Sequence, residues 1–128
     1  MRNEPRVLVV EDDEVLARML TLLLSSEEID SRAIGCGNQA LLAFMDGQYD
    51  LVILDLGLPG MNGLELCRRL RALAPRVGLI VLSGGGPECR NEALLAGADL
   101  FLRKPFDMNE FHDGVRALLS GSVVRLAA

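Results

Sequence analysis

Short apolar runs alternate with helix-periodic stretches along the whole chain. The runs at 6–10 (RVLVV), 51–54 (LVIL) and 79–82 (LIVL) are continuous in Val, Ile and Leu and are bounded by charged or turn-forming residues. Continuous rather than alternating apolarity predicts strands covered on both faces, as in a parallel sheet flanked by helices. Residues 29–34 are half polar and predict a weaker strand at a sheet edge, and 100–102 predict a short fifth strand. Between these lie helical patterns. In 14–25 the residues Val15, Leu16, Met19, Leu20, Leu22, Leu23 and Leu24 form a stripe that widens into a mostly buried helix. A second helix opens at Gly37 and Asn38 and is stopped by Gly47, and a third covers 64–73 with Leu64, Cys67, Leu70 and Leu73 on one face. A fourth covers 88–96 and is closed by Gly97, a residue suited to a left-handed stop. Asp107 can cap a last helix running to about residue 119. Five strands alternating with five helices predict an α/β fold: a single doubly wound domain over 1–120 around a five-stranded parallel sheet. Residues 121–128 are expected to be a C-terminal tail or the start of a linker.

Composition narrows the class. With 128 residues the chain is long enough for one real core, and half of it is apolar while only 4% of the chain is aromatic, so the core must be aliphatic. The net charge of −5 argues against a direct nucleic-acid grip by this segment and against an anionic membrane surface. No apolar run approaches the ~20 residues of a membrane-spanning helix. The residues before the first strand carry no signal-peptide pattern. Cys36, Cys67 and Cys89 are odd in number and widely spaced, which predicts neither a disulfide framework nor a zinc site. A reduced, cytoplasmic protein is expected.

The chemistry lies where the strands end. The first apolar run leads into Glu11, Asp12 and Asp13, the third into Asp55, the fourth into Ser83 and the fifth into Arg103 and Lys104. In an open parallel sheet all these ends share one edge, and ligands bind in the crevice beyond it. Loops are polar anyway, and that accounts for any one of these residues. It accounts poorly for acids, a hydroxyl and a lysine all delivered to the same edge. Three carboxylates within a few ångströms repel one another unless a hard divalent cation with oxygen ligands joins them. Magnesium suits such a site, with manganese as the alternative. Lys104 offers a charge and Ser83 a hydroxyl for phosphate oxygens, which are the parts that phosphoryl transfer to a carboxylate requires.

These residues carry a family resemblance. The segments 7–20 (VLVVEDDEVLARML), 49–66 (YDLVILDLGLPGMNGLEL), 81–84 (VLSG) and 97–107 (GADLFLRKPFD) occur in the order found in receiver domains of bacterial two-component response regulators. The chain resembles that family from Val7 to Leu119. The resemblance implies the strand order 2-1-3-4-5 and a role for each site residue. Asp55 is the phosphoacceptor and a metal ligand. Asp12 is the main metal ligand, Glu11 assists it, and the Gly57 carbonyl is a further ligand. Lys104 contacts the phosphate, Ser83 and Phe101 form the switch pair, and Pro105 follows a cis peptide bond. In that switch the hydroxyl moves toward the phosphate and the aromatic ring turns inward. The implied phosphodonor is a sensor histidine kinase or a His phosphotransfer protein, and the implied target is a downstream protein or a fused output domain. The protein itself would catalyse only its own phosphorylation and slow autodephosphorylation.

Asp13 is either a fourth acid of the site or the cap of the first helix. The triple glycine at 84–86 is expected to make the loop after the fourth strand mobile until phosphorylation orders it. His112 is expected to be a surface or packing residue, and Met19, Met45, Met61 and Met108 to fill core or turn positions. By resemblance, the partner surface is formed by the fourth helix, fifth strand and fifth helix. Gly114 stands where a charge would serve a dimer there, so a monomer or a weak phosphorylation-dependent dimer is expected. Two other classes compete. A phosphate-independent interaction module need not keep Glu11, Asp12, Asp55, Ser83 and Lys104 together. A phosphatase with an aspartyl intermediate usually has a second Asp two residues after the nucleophile, where this chain has Gly57.

Overall fold

The computed structural model describes residues 4–120. The expected tail at 121–128, and residues 1–3 of the expected domain, lie outside them. Ten elements alternate along the chain: β1 (Arg6–Val10), α1 (Glu14–Ser25), β2 (Asp30–Ile34), α2 (Gly37–Asp46), β3 (Leu51–Asp55), α3 (Gly63–Leu73), β4 (Gly78–Ser83), α4 (Pro87–Leu95), β5 (Leu100–Arg103) and α5 (Met108–Ser120). The five strands form one parallel sheet in the order β2-β1-β3-β4-β5, as the resemblance implies.

The continuous apolar runs are explained by two cores, one on each face. Leu8, Val10, Val52, Leu54, Leu79 and Val81 face α2, α3 and α4 together with Leu66, Cys67 and Leu70. Their neighbours Val7, Val9, Leu51, Ile53, Ile80 and Leu82 face α1 and α5 together with Leu20, Leu24 and Phe111. Alternation along each strand sends successive side chains to opposite faces, so a strand covered on both sides must be apolar throughout. Among the described residues no helix is long and apolar enough to cross a membrane.

Several expectations need correction. Helix α1 is not mostly buried: Ala17, Leu20 and Leu24 face the sheet, while Val15, Met19 and Leu22 are exposed. A helix laid on a sheet covers one stripe only, and the extra leucines of α1 fall outside it. Met45 and Met108 are likewise exposed rather than packed. Ile29 precedes β2 instead of starting it, because its N–H bonds to the Leu24 carbonyl in the turn after α1. Gly114 faces inward: a Cβ there would collide with Leu100 Cδ2, so glycine lets α5 lie close on β5. Its lack of charge therefore says nothing about the outer surface.

The end of the sheet opposite the strand carboxyl ends is locked by Arg71 of α3. Its guanidinium donates to the carbonyls of Gly97, Ala74, Pro75 and Val77 and to Asp99, which also accepts the Leu79 N–H. On the α5 side, Glu27 after α1 receives a two-pronged bond from Arg116 (3.0 and 3.1 Å) and pairs with His112 Nδ1. His112 also lies edge-on to Phe111, the packing role expected of it. Cys67 is fully buried, and that burial pushes its thiol up to about 11.

Two expected outcomes follow from this packing. A Cβ at Gly63 would lie 2.5 Å from Leu56 Cα and 2.7 Å from the Asp55 carbonyl oxygen, both backbone atoms that cannot step aside. Gly63→Ala should cost about 3 kcal/mol in urea unfolding, whereas Gly114→Ala, which meets only the tip of Leu100, should cost less. The hydrogen bond from Arg116 holds the Glu27 carboxyl below its ordinary value. A carboxylate held low in the folded state lends stability above its unfolded pKa and loses it as pH falls through the folded one. Arg116→Ala should raise the Glu27 pKa in an NMR carboxyl titration and flatten the acid-side loss of stability.

Candidate functional site

Each site residue stands at a strand's carboxyl end because the buried strand has no room for it earlier. Glu11 and Asp12 follow β1, Asp55 is the last residue of β3, Ser83 the last of β4, and Lys104 follows β5. The ladder sets their relative heights. Asp55 lies level with Leu82 and Ser83 with Arg103, and the Lys104 N–H donates to the Ser83 carbonyl at 2.8 Å. The Lys104–Pro105 peptide is cis.

Local turns complete the placement. Asp13 caps α1: its Oδ1 accepts the N–H groups of Val15 (3.0 Å) and Leu16 (3.2 Å), which resolves its two alternatives in favour of the cap. Asn62 caps α3 through Leu64 N–H at 2.7 Å. The turn between β3 and α3 needs a left-handed Gly60 (φ 80°) and then Gly63, whose Cα lies beneath the Asp55 carbonyl.

Glu11, Asp12 and Asp55 each offer an oxygen, and these oxygens lie within 4.8 Å of one another. Lys104 Nζ stands between two of the acids, 3.1 Å from Glu11 Oε1 and 3.3 Å from Asp55 Oδ2. The other oxygen of Glu11 accepts the Asp13 N–H at 3.1 Å. Glu11 is buried, Asp12 exposed and Asp55 mostly covered. Burial pushes the Glu11 carboxyl above its ordinary value, and the Asp55 charge adds to that. The Asp13 N–H and the Lys104 ammonium oppose the rise without cancelling it. For Lys104, burial favours the neutral amine, but the hydrogen bond to Glu11 and the charge of Asp55 outweigh it and hold its pKa above the ordinary value. One cation thus faces three carboxylates. An oxygen-only donor set with this surplus of negative charge fits a hard divalent cation.

The hydroxyl of Ser83 is buried and accepts the Gly85 N–H at 3.0 Å. Phe101 is already buried in the core under α3 and α4, so an inward turn would begin from a ring that is largely covered. Gly57 leaves open space beside the site: a Cβ there would meet only Asp55 Oδ2, at 3.9 Å. Two features escaped sequence reasoning. One is the direct bond between Glu11 and Lys104, residues 93 positions apart that had been assigned to metal and phosphate separately. The other is the thiol of Cys89, which fills the space a Cβ at Gly85 would need.

Comparison with known proteins identifies the family. The response regulator receiver domain family matches residues 7–116. The DNA-binding response regulator MtrA of Mycobacterium tuberculosis is 45% identical over 115 residues, covering 89% of this chain and 50% of that protein. The phosphate regulon transcriptional regulatory protein PhoB of Rhizobium meliloti is 39% identical over 118 residues, covering 90% of this chain and 52% of that protein. The chain therefore spans about half the length of the curated relatives it matches. Among solved structures, the response regulator TrrA of Thermotoga maritima in complex with Mg(2+)-BeF is 32% identical with a TM-score of 0.83, covering 90% of this chain and 99% of that one. The receiver domain of Francisella response regulator 1452 is 29% identical with a TM-score of 0.87, covering 93% and 99%.

The relatives also overturn one expectation. The partner set drawn from the sequence excluded direct nucleic-acid binding by this segment, whereas MtrA is named as DNA-binding and PhoB as a transcriptional regulator. The net charge of −5 behind that exclusion belongs to a segment half their length and does not bear on what whole regulators bind. By its sheet order, its acid cluster and the match over 7–116, this chain belongs to the receiver domain family of response regulators.

Proposed function

We propose that the chain is the phosphorylation-controlled input segment of a cytoplasmic two-component regulator, with Asp55 as the phosphoacceptor. The observation that carries this reading is Lys104 Nζ bridging Glu11 and Asp55 within a cluster that also includes Asp12. An Asp55 carboxylate oxygen attacks the phosphorus of a phosphohistidine on a sensor kinase or phosphotransfer protein. A P–O bond forms as the P–N bond breaks, and the imidazole leaves. Lys104 lies within reach of an Asp55 oxygen and supplies positive charge where phosphoryl oxygens arrive. A divalent cation held by Asp12, Asp55, Glu11 and the Gly57 carbonyl supplies the remaining charge neutralisation when bound.

Ser83 then has a choice of partners. Its hydroxyl accepts from Gly85 in the present state, and turning to donate to a phosphoryl oxygen means giving up that bond. Phe101 lies level with Val81, two residues before Ser83 on β4, and on the same face of the sheet as Val81, so the change is passed to β5 and to the loop at 84–86. The phosphate shifts the balance between two such states. Because the relatives include DNA-binding regulators of about twice this length, we assign the readout to an output portion that binds DNA in the whole protein.

Intact mass after incubation with acetyl phosphate and Mg2+ is the direct check. The chain should gain one phosphoryl group, and the gain should vanish without Mg2+ and in Asp55→Asn. No gain in the wild type, with Mg2+ binding established separately, would sink the assignment. The bridging role of Lys104 has its own signature. Lys104→Met should cost the metal-free protein about 2 kcal/mol at neutral pH, because buried Glu11 loses its charged partner. Adding Asp55→Asn should return part of that cost by removing a repelling neighbour, which a thermodynamic cycle in urea would measure.

A further inference from the structure

The open edge of the sheet is complementary to itself. Among the described residues strand β2 pairs only with β1, and along it the Asp30 N–H donates to the Pro5 carbonyl while the Ile34 carbonyl accepts the Glu11 N–H. The even-numbered residues thus turn their backbone groups toward β1. Ser31 and Ala33 turn theirs outward, toward open solvent. Asp30 and Arg32 share one face of the strand with opposite charges. Asp30 is 57% exposed and uses one oxygen on Arg6, and among the described residues Arg32 has no ion-pair partner. Apolar side chains flank the edge on both sides, with Leu22 of α1 61% exposed and Leu42 of α2 64% exposed.

We infer that β2 is a docking edge for a second copy of this chain, paired antiparallel about a two-fold axis at Ser31. In that register Ser31 exchanges two backbone bonds with its own counterpart, and the Ala33 N–H of each copy reaches the Ile29 carbonyl of the other. The flanking positions place Arg32 of each copy opposite Asp30 of the other, in the pairs where cross-strand side chains come closest. Slipping the register by two residues in either direction sets Arg32 against Arg32 or Asp30 against Asp30. The edge charges therefore admit one register and oppose its neighbours. The interface is isologous, as a closed dimer requires, and brings Leu22 and Leu42 of each copy under cover. It joins two sheets into one of ten strands. The two acid clusters then sit at opposite ends of that sheet, both accessible, so this pairing does not compete with phosphotransfer.

The test is a charge swap read by sedimentation equilibrium over a wide concentration range, with circular dichroism to confirm the fold. Arg32→Asp and Asp30→Arg should each weaken self-association about tenfold. The double variant Asp30→Arg/Arg32→Asp restores opposite charges and should recover it. Ser31→Pro removes only an outward N–H, leaves the β1 ladder intact, and should be monomeric. A wild type that stays monomeric at every concentration would overturn the inference. So would a dimer that ignores the single reversals, is not recovered by the swap, or persists in Ser31→Pro.

Discussion

A strand buried on both faces has no side on which to carry a polar group. That constraint governs this molecule. The central strands β1, β3 and β4 are apolar from their first turn inward because each alternate residue meets one of two cores. Polar chemistry can enter only after the last covered position. Since the strands are parallel, the last covered positions fall on one edge, and Glu11, Asp12, Asp55, Ser83 and Lys104 meet there without being near one another in the chain. The site is a by-product of sealing the sheet, made specific by which residue follows each run.

Meeting there has an electrostatic cost. Glu11 is taken out of water beside Asp55, and burial disfavours its charged form. Lys104 offsets this only in part, since it is one cation shared between two acids with a third nearby. The site is thus held short of neutrality. An oxygen-only cluster with this surplus of negative charge suits a hard divalent cation. The rigidity beneath it matters as much. Gly63 brings the start of α3 against the carbonyl of Asp55, and Asn62 caps that helix, so the proposed acceptor is held from below by backbone rather than by side chains.

The fold was readable because its signals are redundant. Uninterrupted runs such as LVIL and LIVL can be little else than doubly covered strands, and Gly47, Gly97 and Pro75 punctuate the helices between them. The site was readable for a related reason: polar residues directly after apolar runs mark the edge. What stayed hidden depends on three-dimensional partners. The stripe on α1 looks buried because seven apolar residues crowd it, but only the sheet decides which of them are covered, and Val15 and Leu22 are not. Gly114 looks like a surface gap until Leu100 is placed against it. The Glu11–Lys104 bond joins the two ends of the domain and leaves no local trace in the sequence.

The guanidinium of Arg71 has a mechanical consequence. By drawing four carbonyls and Asp99 onto one rigid planar fork, it clamps the turns after α3 and α4 and the start of β5 at the pole away from the site. At the other pole the loop after β4 is three glycines, and Gly84 has open space around it. The two poles of the sheet are thus tied in opposite ways, one by a dense fork of side-chain bonds to backbone and the other by a glycine connection that the Ser83 hydroxyl anchors at Gly85.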